Sequence, residues 1–504
     1  MSPRSRTLGD LLDEIAAARP DADAAVARSE RLTYGALKAR ADELARAFLA
    51  VGVRHGDRVA VILPNRPEWL VTMFAASKVG AITVGVSTFS SPREIAWTIE
   101  HCRPAAIVTL ESFRGRSYLG PLYDTCPELT RSAPGQVRSE RLPELRAVVC
   151  VDERRHAGVD RFVDFLARAS RVPERDRASA QAAVAPADPA YILYTSGSTA
   201  TPKGVTLAHG GLIANGFDIG ERQHLTPADR VWLAVPLFWS FGSANALPAI
   251  MTHGGSLVLQ ESFEPGEALA LLADERCTVY YGMANMARAM LEHPDRPRLR
   301  LASMRTGLTI GLPEDVRMTM EAVGARELCN VYGSTETYGN CAVTDARDPL
   351  ALRLETQGLP LPEMDIRVVD PESERVLAPG EVGELRVKGH VTSGYYQDAE
   401  QTRAAFDADG YFKTGDLGLI REDGRVSFRG RFKEMIKTAG MNVAPLEVEA
   451  ILATHDAVKQ AYVVGIPDRQ RGEQVVAAVE LREGTTATPE ALTAFCRERL
   501  ASYK

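Results

Sequence analysis

The feature that most constrains the fold is an alternation of short apolar runs with helical periodicity that recurs along most of the chain. From Asp57 the sequence reads DRVAVILPN, a strand-like run closed by Pro64 and Asn65. A helix is predicted next, with Asn65 as its cap, Pro67 in its first turn, Leu70, Met73, Phe74 and Ser77 at helical spacing, and Gly80 at its end. Residues 81–84 and 105–110 are further apolar runs, with a helical pattern at 95–101 between them. The same rhythm returns as strand candidates at 231–235, 256–259, 278–281 and 328–331, separated by helical patterns such as 265–274 and 313–323. Repeated β–α–β alternation predicts a doubly wound α/β body. Residues 172–189, rich in Ala, Arg, Asp and Pro without a period, read as a surface connector.

After Gly380 the pattern changes. EVGELRVKG and GRVSFRG are short alternating strands with glycine turns, which predicts a small β-rich subdomain closing the large domain. A small α+β unit follows, with helices predicted at 445–455 and 489–500 and strands at 461–466 and 474–481. Two or more domains suit the 504 residues. The boundary is set at a large domain over residues 1–431 and a small, mobile one over 432–504.

Composition excludes several classes of function. Acidic and basic residues are interleaved around a net charge of −7, leaving no basic footprint for nucleic acid. The seven cysteines are scattered without a CxxC pair and read as reduced thiols of a cytoplasmic protein. Residues 1–10 lack an apolar signal region, and no apolar stretch approaches the roughly 20 residues of a membrane span.

Four stretches carry chemistry. Residues 191–205 read YILYTSGSTATPKGV: an apolar strand, a loop of small and hydroxylated residues, then Lys203 between Pro202 and Gly204. Glycine lets backbone N–H groups approach phosphate oxygens, the hydroxyls of Thr195, Ser196, Ser198 and Thr199 add donors around Gly197, and the lysine adds a compact positive charge. The alternative is a flexible Ser/Gly linker. A Walker loop is ruled out because Gly204, not Ser or Thr, follows the lysine. Residues 330–339 read NVYGSTETYG after a strand. Tyr332 can stack on a base, Asn330 can read an adenine edge, Thr335 can bond phosphate or carboxylate oxygens, and Glu336 offers a hard oxygen to Mg²⁺. In GYFKTGDLG, Gly415 would leave the Asp416 carboxylate uncovered for two vicinal hydroxyls; the alternative is a turn Asp with a surface Arg431. In GRFKEMIKTAGMN a basic segment joins the two domains, and Lys433 and Lys437, four apart, read alternatively as one solvated helix face.

In order and spacing these stretches resemble the adenylate-forming superfamily of acyl-CoA synthetases, peptide-synthetase adenylation domains and beetle luciferases, closest to the acyl-CoA ligases, over roughly residues 32–504. The resemblance implies that the hydroxyl loop with Lys203 binds the ATP β and γ phosphates and that residues 330–336, including Val331 and Gly333, bind AMP. It further implies that Glu336 holds Mg²⁺, Asp416 and Arg431 hold the ribose, Lys433 is the hinge, and Lys437 and Gly440 face the thiol channel. One position departs from the family pattern: Ala200 stands where a glycine is usual. Relatives also place an adenylation lysine beyond an SYK-like segment, so Lys504 is not assigned that role and the small unit reads as incomplete.

The implied reaction is ATP-dependent activation of a carboxylic acid as acyl-AMP and its transfer to coenzyme A. An acyl-AMP ligase loading an acyl carrier protein and a non-adenylating acyl-AMP binder are the alternatives. Candidate acid-pocket residues are Phe238, Trp239, Phe241, Met283, Gly307 and Tyr338. They suit an apolar or bulky acid, and no acidic residue among them would receive an α-ammonium group.

Overall fold

Proline pre-sets the helical φ and lacks the N–H that a first turn leaves unpaired, so it marks where helices start. Helices Pro67–Lys78, Pro92–Cys102, Pro265–Asp274, Pro313–Val323 and Pro489–Arg497 all open on one. The computed structural model describes residues 6–195, 202–438, 441–443, 445–468 and 472–500.

The predicted alternation resolves into two large sheets. One runs Leu359–Pro360, Ala342–Val343, Glu327–Tyr332, Thr306–Thr309, Val279–Tyr281, Arg230–Leu233, Ser256–Leu259, Asp23–Val26 and Arg31–Thr33, parallel from Glu327–Tyr332 to Asp23–Val26 and antiparallel at both edges. The other runs Gly394–Tyr395, Lys203–Ala208, Pro189–Thr195, Ile82–Gly85, Arg58–Ile62, Ala106–Thr109, Ala147–Cys150 and Asp160–Arg161. Its strands are parallel from Pro189–Thr195 onward. The β-rich subdomain is an antiparallel sheet of Asp365–Val369, Gly383–Lys388, Phe412–Ile420 and Val426–Arg431. The small unit packs helix Pro445–Ala453 on strands that include Val458–Asp468 and Gly472–Leu481, around its own core of Ile436, Val443, Val448, Leu452, Val458, Val463 and Leu492. The expected α/β body, β-rich subdomain and small α+β domain are therefore all present.

Two local expectations are corrected. The stretch 172–189 is not a plain connector: Glu174–Ala182 is a helix whose inward residues are polar, Arg177 and Gln181, so it carries no apolar period. Asn65 does not cap the helix after it. The cap position is Arg66, with no side-chain bond. Asn65 instead joins the two sheets, its Nδ2 donating to the carbonyls of Leu233 at 3.2 Å and Val235 at 3.1 Å while its Oδ1 accepts from the Leu237 N–H at 2.8 Å. It thereby fixes the segment leading into Phe238 and Trp239.

Candidate active site

Side chains at the C-terminal ends of parallel strands face the crevice where α/β folds hold ligands. Strand Glu327–Tyr332 delivers Tyr332 to such an end, and the chain then turns through Gly333 into a 3₁₀ turn, Thr335–Thr337. A Cβ at Gly333 would lie 2.5 Å from the Asn340 Cα, so the turn demands glycine. Tyr338 leaves it with φ of 58°, its ring lying over Gly211 and its hydroxyl accepting from the Ala208 N–H at 3.0 Å. This phenol fastens the 3₁₀ turn to the strand that begins at Lys203. It serves as a buried anchor, which the sequence reading did not foresee.

Around that turn the structure gathers residues from four parts of the chain. The Thr335 Oγ1 lies 3.0 Å from the Ser240 hydroxyl. The Tyr395 hydroxyl donates to Glu336 Oε1 at 3.1 Å, and the Lys203 ammonium sits over the same ring, 4.9 Å from its centroid. Thr195 and Lys203 are cross-strand partners, so the hydroxyl loop between them is closed by a β-ladder pair. Ser196, Gly197, Ser198, Thr199 and Ala200 lie outside the described residues, as do Gly440 and Lys504.

Asp416 was expected to stand uncovered and does not. Only 5% of it is exposed, because strand Phe412–Ile420 sets it beneath Tyr332, whose hydroxyl donates to Asp416 Oδ2 at 3.0 Å. Oδ1 faces the Arg431 Nε at 3.4 Å across the ladder but forms no hydrogen bond among the described residues. Burial raises the Asp416 carboxyl to about 6 against the opposing pull of Arg431 and the Tyr332 hydrogen bond. Burial likewise pushes the Tyr332 phenol well above its ordinary value, with the Asp416 charge adding to it. One face of the Tyr332 ring is already stacked on Phe428, with centroids 5.7 Å apart. Asn330 is fully buried behind this group with Nδ2 unpaired, and Val331 is 3% exposed.

The candidate acid-pocket residues divide. Phe238 is buried and Trp239 is 44% exposed, and Phe89 meets both rings edge-on at 5.5 and 5.9 Å. Phe241 begins a π-helical turn, Phe241–Ala246, and packs on Tyr281 at 5.5 Å. Within that turn Asn245 is fully buried beside Gly339 with neither amide atom paired, and the Asn340 side chain is likewise unpaired. The Met283 carbonyl accepts from the Tyr280 hydroxyl at 3.1 Å. Gly307, with φ of 151°, serves strand packing: a Cβ there would lie 2.1 Å from the Tyr280 carbonyl oxygen. Lys433 falls in the 3₁₀ turn Phe432–Glu434 and Lys437 in strand Ile436–Thr438, so the two do not share a helix face.

Asp416 beneath Tyr332 and opposite Arg431, and Lys203 and Glu336 both touching Tyr395, bring together residues of all four sequence stretches. A model of the family described as AMP-binding enzyme matches residues 12–396, and one described as AMP-binding enzyme C-terminal domain matches residues 447–504. The chain belongs to the AMP-binding enzyme family. Its enzyme class is that of the AMP-forming acid–thiol ligases. It is 34% identical to "Putative acyl-CoA synthetase YngI" of Bacillus subtilis (strain 168), over 99% of this chain and 92% of that protein. It is 31% identical to "Medium-chain acyl-CoA ligase ACSF2, mitochondrial" of Danio rerio, over 99% of this chain and 84% of that one. The crystal structure of ATP-bound MatB from Rhodopseudomonas palustris superposes with a TM-score of 0.83 at 27% identity, covering 98% of this chain and 93% of MatB. The anthranilate CoA ligase AuaEII, in complex with anthranoyl-AMP, shares the fold with a TM-score of 0.84 at 23% identity, covering 100% and 92%.

The sequence reading missed Ser240, Tyr395, Phe428 and Phe89 among the members of this AMP-binding enzyme's site. Ser240 stands between two candidates, Trp239 and Phe241, without being one itself; the others stand in segments whose local pattern is ordinary, and only the fold brings them to the motif residues. No helix of the described residues is long and apolar enough to cross a membrane.

Proposed function

We propose that this chain is an ATP-dependent acyl-CoA ligase for an apolar or bulky carboxylic acid. The observation that carries the reading is Asp416: a buried carboxylate with one oxygen that makes no hydrogen bond among the described residues, beside a strand-end tyrosine and an exposed arginine, is suited to the two hydroxyls of a ribose. In the first step the acid's carboxylate oxygen attacks the α-phosphorus of ATP, the bond to the β-phosphate bridging oxygen breaks, and pyrophosphate leaves. In the second a thiol sulfur attacks the acyl carbonyl, loses its proton, and AMP departs with the bonding pair. Coenzyme A is the proposed thiol.

The protein's contribution is placement and charge. Lys203, with Thr195 and the hydroxyl loop of Ser196, Gly197, Ser198 and Thr199, would hold the β and γ phosphates. Thr335, seated against Ser240, would orient the attacking carboxylate. Asn330, Val331, Tyr332 and Gly333 would border the adenosine, with Asp416 and Arg431 on its ribose. Mg²⁺ fits Glu336, a half-buried carboxylate held by a neutral phenol, with no cation in ion-pair range among the described residues. When bound, the Mg²⁺ ion supplies neutralisation of charge on the phosphate oxygens.

The aromatic group of Phe238, Trp239 and Phe241, together with Phe89, supports an apolar or bulky acid. Lys433 is proposed as the hinge at a domain boundary near 431/432, with Lys437 and Gly440 on the thiol side. The seven free cysteines suit the cytoplasm. The test is acid-dependent release of pyrophosphate from ATP across a panel of acids, with and without coenzyme A. Release with one acid class, and a thioester when coenzyme A is present, is the expected result. Tight binding of an acyl-AMP analogue without any release would overturn it.

A further inference from the structure

We infer that Tyr395 is a positioning residue for the phosphate site, holding Lys203 and Glu336 at a fixed separation through its ring and its hydroxyl. This rests on the roles proposed above for those two residues. The phenol reaches both at once: its oxygen donates to Glu336 Oε1 at 3.1 Å, and its ring face lies under the Lys203 ammonium, 4.9 Å from the centroid. A cation at that distance from an aromatic face is attracted by the ring quadrupole, and a phenol donating to a carboxylate makes a charge-assisted bond. The lysine begins a strand and the glutamate stands in a 3₁₀ turn after a strand of the other large sheet, and a direct ion pair between them would cancel the charges needed for phosphates and metal. A neutral side chain that binds each separately orders both and leaves their charges available.

Tyr395 is itself held on every side. Gly394–Tyr395 pairs antiparallel with the lysine strand, Val205 opposite Tyr395 and Thr206 opposite Gly394. The Tyr396 N–H donates to the Gly204 carbonyl at 2.7 Å, and the Thr392 hydroxyl to the Thr206 carbonyl at 2.7 Å. On the other side the Thr392 N–H donates to the Glu336 carbonyl at 2.6 Å. The Tyr395 N–H donates to the Thr402 hydroxyl at 2.9 Å, against which Gly394 packs so closely that a Cβ would lie 2.4 Å from the Thr402 Cγ2. Residues 392–396 thus form a strap between the lysine strand and the glutamate turn, with Tyr395 as the side chain that touches both functional groups.

The test compares Tyr395→Phe, which keeps the ring and removes the hydroxyl, with Tyr395→Leu, which removes both. Calorimetric titration of the full chain with AMP and with ATP, at stepped Mg²⁺ concentrations, provides the readout. Tyr395→Phe should raise the Mg²⁺ concentration for half-maximal ATP binding about tenfold while leaving AMP affinity unchanged. Tyr395→Leu should add a loss of about threefold in ATP affinity at saturating Mg²⁺, again without change for AMP. Equal loss for AMP and ATP would mean a merely structural role and overturn the inference. Glu336→Gln and Lys203→Ala separate the two levels of the argument. If they shift Mg²⁺ dependence and ATP affinity but the Tyr395 variants do not, the positioning role fails alone; if they shift neither, the assignment of the phosphate site fails with it.

Discussion

Two buried charge clusters in the large domain are built to opposite ends. In one, Lys78 is wholly buried where helices Leu8–Ala18, Tyr34–Ala50, Pro67–Lys78 and Glu174–Ala182 meet. Its ammonium donates to Asp13 and Asp42, both at 2.5 Å, Gln181 donates to Asp10 and Asp13, and Arg177 donates to Gln181. In the other, Asp416 is also buried but keeps an oxygen without a hydrogen bond among the described residues. A satisfied cluster fixes how helices pack; an unsatisfied one costs stability and is retained where a ligand completes it. The pH responses differ in sign accordingly. Burial works to raise the Asp13 carboxyl, but the hydrogen bond and charge of Lys78 outweigh it and leave it lowered, so its stabilisation is present above the ordinary carboxylate range and is lost in acid. Asp416 is raised to about 6, so the native state binds its proton more tightly and stability falls as pH rises from 3.8 to about 6.

The largest effect is expected from breaking the satisfied cluster. Lys78→Met removes the buried cation that Asp13 and Asp42 share, leaving them to Lys38 and Arg177, and should cost about 3 kcal/mol, read as a lowered denaturation midpoint of the large domain. Asp416→Asn should move the opposite way, stabilising the ligand-free protein at pH 7 by at most about 3 kcal/mol and leaving it unchanged near pH 3, while abolishing adenylation. Denaturant titrations at the two pH values check both the sign and the window. Tyr332→Phe, which removes the Tyr332 hydrogen bond to the Asp416 carboxylate, should cost about 1 kcal/mol and weaken AMP binding. Trp239→Ala should change stability by less than about 0.5 kcal/mol, since the ring is exposed, yet lower kcat/KM for large apolar acids about tenfold.

The contrast also shows what a sequence reveals. Helices such as Pro265–Asp274 and Pro313–Val323 are legible to the residue, because a proline start and an apolar period coincide. Helix Glu174–Ala182 is hidden because its inward face is Arg177 and Gln181, whose burial makes sense only against Asp10, Asp13 and Asp42. The motif residues are legible as chemical types, but their environments are not. Asp416 reads as an open turn residue until Tyr332, 84 positions away, is seen to cover it, and Tyr395 shows no role until it meets Glu336, 59 positions away. Side chains gathered by crossovers between sheets leave no local pattern, so Phe89 and Ser240 could not be joined to Trp239 and Thr335 in advance.

The most direct test of the claim that Asp416 awaits a ribose is a calorimetric comparison of AMP with 2′,3′-dideoxy-AMP on the wild-type protein and on Asp416→Asn. Loss of the two hydroxyls should weaken binding to the wild type by about tenfold or more and scarcely affect the variant, because the partner oxygen is already compromised. An equal loss in both proteins would contradict the assignment and leave Asp416 a buried carboxylate without a ligand.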